Sequence, residues 1–333
     1  MQLDSSPPKA RRALVPLLAA LSLLASVAML GSARAETAAR QTTPTLGHVF
    51  VLMGENQGLD KLTLKHAPYL VGSLKPRSAW LTDYRGVTLG GSLANYLGMT
   101  SGRFKKCDLN DDLPDHCRFK GDNLFHQLDA AGMTWRSWME SMPHPCDFID
   151  SGVAWWSDIY TVHHNPAMYY TNVQGGVYDE GITPRRECLK SVLPMGSTQP
   201  NDTRAFDRAL AKGDVGRFNL VVPNDCENGH DACPAKADSV RQFDRFLARE
   251  VPKITHSPAF GRDGVIIITY DSGLSPKHKQ ILFAAIGPKI KPGIYTDGPY
   301  THYSLLRTLE DGFNLPRHLG NAASAKPLAA IWR

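Results

Sequence analysis

Four short stretches of this chain are almost uninterruptedly apolar, and each stops on polar or turn-forming residues. Residues 48–53 halt at Gly54-Glu55-Asn56, 218–222 at Pro223-Asn224-Asp225, 265–269 at Tyr270-Asp271-Ser272, and 281–286 at Gly287-Pro288. Runs of this length, rich in β-formers, predict strands covered on both faces, as in parallel sheets. Helical spacing alternates with them, over 123–131 closed by Gly132, 203–212 closed by Gly213, 236–250 before Pro252, and 303–313. The alternation predicts an α/β fold with a mostly parallel central sheet flanked by helices. Ligands in such folds gather beyond the carboxyl ends of strands, so the polar residues just after each run are the ones to examine.

The amino-terminal 35 residues stand apart. Lys9, Arg11 and Arg12 precede an uncharged apolar run from Ala13 to Leu30, and Ala33-Arg34-Ala35 follows as a small-x-small site. This pattern predicts a secretory signal peptide over 1–35, with a membrane anchor as the alternative reading. A polar, flexible lead-in is expected over 36–46 and a single domain over 47–333. The signal segment carries four basic residues and one acidic, so +3 of the formal +5 leaves with it and +2 remains. That near-neutral balance removes the case for a nucleic-acid partner: the remaining clusters, Lys105-Lys106, Arg185-Arg186 and Lys277-His278-Lys279, have no interleaved aromatics on which bases would stack. All six cysteines follow the cleavage site, and an even number in an exported chain predicts disulfides. Of fifteen connectivities, the one with the shortest loops joins Cys107 to Cys117 and Cys226 to Cys233, leaving Cys146 with Cys188. A zinc site on Cys226, His230 and Cys233 is the alternative.

The strand-end residues Glu55, Asn56, Asp271 and Ser272, with His230-Asp231 and Thr301-His302, offer ligands from separate segments, which a hard divalent cation requires. Ser92 lies between Gly90-Gly91 and a helix-like pattern at Leu93, Tyr96 and Leu97. A serine in the first turn of a helix sits near unpaired N–H groups that suit a phosphate, or it caps the helix. Trp135, Trp138, Trp155 and Trp156 are expected in the core, with a lipid-facing role as the alternative.

These pieces fall in a recognisable order. Strand-Glu-Asn is followed by Ser92-x-x-Asn95-Tyr96-Leu97-x-x-Thr100-Ser101-Gly102, His164-Asn165-Pro166, Pro223-Asn224-x-Cys226-x-x-x-His230-Asp231, Ile268-Thr269-Tyr270-Asp271 and Thr301-His302-Tyr303-Ser304. The series resembles the secreted bacterial phosphoesterase family, which includes acid phosphatases and phospholipase-C-type enzymes of the alkaline-phosphatase-like superfamily. The resemblance covers residues 48 to 332. It implies an alkaline-phosphatase-like fold, a divalent metal on Glu55, Asn56 and Asp271, and a Ser92 nucleophile that passes through a phosphoserine. It also implies phosphate contacts from Asn95, His164 and Asp231, and His230 or His302 as the acid that protonates the leaving alcohol. The implied substrate is a phosphorylated small molecule or lipid, met outside the cell or in the periplasm, with no membrane span once the signal is removed.

Two departures fall on the chemistry. Where the family usually carries Asp-Glu, this chain has Asp271-Ser272, which replaces an anionic ligand by a hydroxyl. The family's Thr-His-Pro-Ser-x-Pro-Asn-Tyr becomes Thr88-Leu89-Gly90-Gly91-Ser92-Leu93-Ala94-Asn95-Tyr96, losing a histidine and two prolines and gaining glycine freedom. An active phosphomonoesterase is the favoured reading. A family member that binds phosphorylated ligands with little turnover, and a phospholipase-C-type phosphodiesterase, are the alternatives.

Overall fold

The protein is described by a computed structural model over residues 43–154, 157–176, 183–199 and 201–333. The segment predicted as a signal peptide, most of the expected lead-in, and Trp155 and Trp156 lie outside the described residues. In chain order the strands are β1 (Val49–Gly54), β2 (Ala79–Leu81), β3 (Tyr84–Arg85), β4 (Trp135–Met139), β5 (Ser151–Ala154), β6 (Ser157–Tyr160), β7 (Val192–Pro194), β8 (Phe218–Val222), β9 (Val265–Tyr270), β10 (Phe283–Ile286), β11 (Gly293–Tyr295) and β12 (Tyr300–Thr301). The helices are α1 (Ser92–Ser101), α2 (Leu124–Ala130), α3 (Thr171–Gln174), α4 (Arg186–Ser191), α5 (Arg204–Lys212), α6 (Ser239–His256) and α7 (His302–Gly312).

One sheet of eight strands runs in the order β11-β2-β10-β9-β1-β8-β4-β7. All neighbours are parallel except β10, which runs against both β9 and β2. The three longest apolar runs, β1, β8 and β9, lie side by side in the middle, where every residue is buried. Strands covered by helices on both faces cannot alternate polar and apolar residues, which is why these runs are continuous. Pro194 ends the edge strand β7, where a missing N–H costs no ladder bond. The register pairs Gly54 with Tyr270 and Leu52 with Val221, so the segments after β1, β8 and β9 emerge together.

Three expectations shift. The end of the lead-in is packed: Leu46 is buried and its N–H donates to the Gly312 carbonyl (2.8 Å) at the end of α7. Helix α6 continues through Pro252 to His256. Proline removes only one bond to the preceding turn, and the buried Val251 and Ile254 hold the next one in place. The apolar run at 281–286 becomes a strand only from Phe283, antiparallel to its neighbours. Trp135 and Trp138 are core residues of β4. The cysteines pair as the short-loop reading expects, Cys107–Cys117, Cys146–Cys188 and Cys226–Cys233, which removes the zinc alternative.

Candidate active site

Glu55 and Asn56 leave β1 on a backbone that only glycine permits at the preceding position. A Cβ on Gly54 would stand 2.5 Å from the Asn228 carbonyl, the group that accepts the Glu55 N–H (2.8 Å). Asn56 then turns into the left-handed region (φ 37) and donates its N–H to Asp271 Oδ1 at 2.7 Å, tying the end of β1 to the end of β9. Ser92 opens α1 after Gly91, whose φ of 65 suits glycine. Its hydroxyl accepts from Asn56 Nδ2 (3.3 Å) and lies 3.4 Å from Glu55 Oε1, to which it donates. Four oxygen-bearing side chains from three elements thus converge at one point.

Asp271 shows what this point lacks. Its Oδ1 accepts the N–H groups of Asn56 and Ser272, whereas Oδ2 is buried without any hydrogen-bond partner. Burial and the neighbouring Glu55 charge push its carboxyl up to about 6. An orphaned carboxylate oxygen beside a second carboxylate, an amide and a hydroxyl is the donor set of a hard divalent cation. The Asn56 amide, turned over, presents its carbonyl oxygen to the same point.

The loop after β8 supplies the other wall. Asn228 Nδ2 donates to Glu55 Oε2 (2.6 Å), Asp225 Oδ1 (3.2 Å) and Asp231 Oδ2 (3.1 Å), while its Oδ1 accepts the N–H groups of His230 and Asp231. His164 is buried between two carboxylates, with Nε2 3.4 Å from Glu55 and Nδ1 3.5 Å from Asp225. Burial alone would push its pKa down, but the two carboxylates overcome it and hold the ring protonated. His230, half exposed, lies 3.4 Å from Asp231, which raises its pKa to about 9 against the opposing burial. Glu55, His164, Asp225, His230 and Asp231, with His163, Asp150 and Thr161, line a cavity of about 300 Å³. No arginine or lysine is among its lining residues. A groove of about 640 Å³ lies against β4, β7 and α5, away from Ser92, with a lining of Arg136, Trp138 and Lys190 among others.

Several expected roles are changed by placement. His302 lies behind Asp271: its Nε2 donates to the Asp271 carbonyl (2.6 Å) and its Nδ1 accepts from the Tyr84 hydroxyl (2.9 Å). Burial lowers it to about 4, so it is a neutral prop for the β9 end with no nitrogen left for a leaving group. The Asn95 amide is spent on the loop before Ser92, accepting from Val87 and Thr88 N–H and donating to the Gly91 carbonyl (3.1 Å), and holds no phosphate oxygen in this arrangement. Asp231 is opposed by its own burial but held down at about 2, chiefly by His230, whose Nδ1 lies 3.4 Å from its Oδ1. Ser272 turns away from the acidic cluster. Its hydroxyl accepts from Gly90 N–H (3.0 Å) and faces the Thr88 carbonyl (3.2 Å), stapling the glycine loop to the sheet.

Sequence reading missed Asp225, Asn228 and His163, although the first two lie inside the quoted Pro223 to Asp231 motif. It also missed Asp111, whose Oδ1 accepts the Leu93 N–H (2.8 Å) in the first turn of α1. No local signal marks that residue, because the contact depends on the Cys107–Cys117 loop folding over the helix start.

The model of the phosphoesterase family matches residues 79–316. This chain belongs to the phosphoesterase family. It is 25% identical over 318 residues to the phosphatidylinositol-3-phosphatase of Mycobacterium tuberculosis, covering 94% of this chain and 91% of that one. A probable acid phosphatase of Kluyveromyces lactis is 23% identical over 287 residues; the match covers 81% of this chain and 59% of the yeast protein. Among solved structures, a protein of the alkaline phosphatase superfamily from Vibrio parahaemolyticus superposes with a TM-score of 0.58 at 15% identity, over 84% of this chain and 69% of that one. Murine ectonucleotide pyrophosphatase/phosphodiesterase 5 gives 0.54 at 11% identity, over 86% and 100%. The fold is that of the alkaline phosphatase superfamily, and the chain is a phosphoric ester hydrolase.

Proposed function

We propose that this chain is an exported, cation-assisted phosphomonoesterase of the acid phosphatase type with Ser92 as its nucleophile. The observation that carries the reading is the convergence of Ser92 Oγ with Glu55, Asn56 and the unpartnered Oδ2 of Asp271. Glu55, Asn56, Asp271 and the Ser92 oxygen are the residues that would hold the cation, whose chemistry is to neutralise phosphate charge and acidify the serine hydroxyl. Charge supports its presence, because the lining residues Glu55, Asp150, Asp225 and Asp231 would otherwise repel a phosphate.

Ser92 gives up its hydroxyl proton to solvent, its Oγ attacks phosphorus, a P–O bond forms to the serine, and the bond to the leaving alcohol breaks. The His230 imidazolium gives its proton to that alcohol oxygen, and Asp231 holds the ring in position. Water, deprotonated by the now neutral His230, then attacks the phosphoserine; the P–Oγ bond breaks, Ser92 takes a proton back from solvent, and inorganic phosphate leaves. His164, a buried cation in the cavity lining, keeps its two ring nitrogens toward Glu55 and Asp225 and offsets part of their charge. The pattern over residues 1–35 and the three disulfides support export. Among the described residues no helix is long and apolar enough to cross a membrane.

A second reading, cleavage of phosphodiesters, is favoured by the absence of arginine and lysine from the cavity lining, since a diester brings one negative charge less. Hydrolysis of p-nitrophenyl phosphate and bis-p-nitrophenyl phosphate by the purified protein decides between them. The proposal expects faster monoester hydrolysis, abolished by Ser92→Ala and by chelation and restored by a divalent cation. Metal-independent turnover, or none with any divalent cation, refutes it.

A further inference from the structure

Helix α5 carries its charges unevenly. Its one acidic residue, Asp207, turns to α6 and takes the Lys253 ammonium at 2.8 Å, and Arg204 at its start pairs with Asp202 at 2.8 Å. Ala205, Arg208, Ala209 and Lys212, spaced three and four apart, share another face, and all four line the groove of about 640 Å³ against β4 and β7. Arg208 and Lys212 form no ion pair with any described residue. Neither does Lys190, which reaches the groove from α4, where Glu187 pairs with Arg185 instead (3.8 Å).

Arg136 enters the groove from β4 with its side chain only 17% exposed. Its Nη1 donates to the Trp135 carbonyl (3.0 Å), and the carboxylate it pairs with, Asp214, stands 3.6 Å away on a side chain 75% exposed. Four cations thus meet one carboxylate around this groove, a net of +3 in a chain whose residues after 35 sum to +2. Covering most of a guanidinium without a close counter-charge costs free energy, which an anion bound beside it offsets.

Between the cations the lining is apolar. The Trp138 ring packs on Phe206 of α5 with centroids 5.1 Å apart, and Leu193, Pro194 and Pro145 continue the wall. Ala205 and Ala209, with one methyl group each, leave the space between α5 and the sheet unfilled. The volume falls within the roughly 300–1,000 Å³ of clefts that take small molecules. Two simpler guests fit poorly: an inorganic polyanion gains nothing from Trp138 and Leu193, and a neutral apolar molecule leaves Arg136 without its counter-charge. No lining residue is shared with the cavity beside Glu55 and His230.

We propose that this groove is a second binding site, for an elongated organic anion with an apolar body and at least two carboxylate or phosphate groups. The body lies on Trp138, Leu193 and Pro194, and the anionic groups meet Arg136 and the cations of α4 and α5. The site goes beyond the phosphoesterase reading and does not depend on it.

Calorimetry with dodecanedioate, an alkane chain with a carboxylate at each end, tests the groove. The diamine of the same chain length has the body with the opposite charge, and tripolyphosphate has the charge without the body. Wild type is expected to bind dodecanedioate at least tenfold more tightly than either. Arg208→Glu with Lys212→Glu weakens that binding at least tenfold, while the melting temperature and p-nitrophenyl phosphate hydrolysis stay as in wild type. Lys190→Glu, on α4, acts in the same direction and guards against a local distortion of α5. Lys65→Glu, exposed and outside the groove, leaves binding unchanged. Wild type that fails to bind dodecanedioate, equal affinity for tripolyphosphate or the diamine, groove variants that bind like wild type, or an equal loss in Lys65→Glu overturns the proposal. So does dodecanedioate that competes with p-nitrophenyl phosphate, which assigns the binding to the active site. Groove binding by a protein that hydrolyses no phosphoester supports the second site and refutes only the phosphoesterase reading.

Discussion

Replacing Ser272 separates two accounts of its position. By family pattern it is a lost metal carboxylate, and Ser272→Glu restores a ligand. By structure it is a staple, because the fully buried hydroxyl accepts the Gly90 N–H at 3.0 Å and faces the Thr88 carbonyl at 3.2 Å. Ser272→Ala removes the Gly90 bond and the one that the hydroxyl proton shares between the Thr88 and Gly273 carbonyls (3.2 and 3.1 Å), each worth about 1 kcal/mol net, for a total of about 2 kcal/mol; Gly90 is exposed, so water reoccupies its N–H and keeps the cost from rising further. The freed loop contains Gly90 and Gly91 at φ 71 and 65 and leads straight into Ser92, so kcat is expected to fall about tenfold, on the order of 1.4 kcal/mol of lost positioning. Ser272→Glu forces a longer, charged side chain into the same buried space, at a cost of about 3 kcal/mol or more. Urea unfolding reads the stability, and p-nitrophenyl phosphate hydrolysis titrated with a divalent cation reads turnover and metal affinity. A Ser272→Glu protein with tighter metal dependence, faster turnover and undiminished stability would refute the staple.

Asp111→Asn keeps an acceptor for the Leu93 N–H and removes a negative charge at the start of α1, next to Ser92, so KM for a monoester falls severalfold while the melting temperature barely moves; a rise in KM contradicts this. His302 is held neutral, with a pKa near 4 in the fold against about 6.5 in the free chain, so its contribution is complete above pH 6.5 and is lost as pH falls toward 4. Urea unfolding at pH 7.5 and 4.5 should differ by about 2.5 kcal/mol less in His302→Asn than in wild type, and equal differences would show that His302 is not the neutral prop. His230→Gln is expected to lose on the order of 10²-fold in kcat with phenyl phosphate and far less with p-nitrophenyl phosphate, whose leaving group needs no proton. Because the imidazolium is the active form, the wild-type rate on phenyl phosphate falls as pH rises through about 9, and a flat profile there removes His230 as the acid.

The middle of the sheet was legible because β1, β8 and β9 are buried on both faces and must read as continuous apolar runs. Strands β2, β7 and β11 are three residues each and leave no period to detect, and β4 hides behind the Arg136 and Ser137 in its middle. The convergence of Glu55, Asn56, Ser92 and Asp271 was readable from strand ends and motif order. The partners of Asn95, His302, Asp231 and Ser272 were not, because a loop carbonyl, a tyrosine hydroxyl, a histidine and a glycine N–H reach them only through long-range folding. Asn228, which joins Glu55 to Asp225 and Asp231, shows the same limit, since its amide bonds acquire meaning only once β1 and β8 lie side by side.

Acid quenching during turnover of a phosphomonoester, followed by peptide mass spectrometry, tests the central claim directly. The account predicts one phosphoryl group on Ser92, dependent on a divalent cation and absent from Ser92→Ala, which also does not turn over. Turnover that leaves Ser92 unmodified and persists in Ser92→Ala would contradict it.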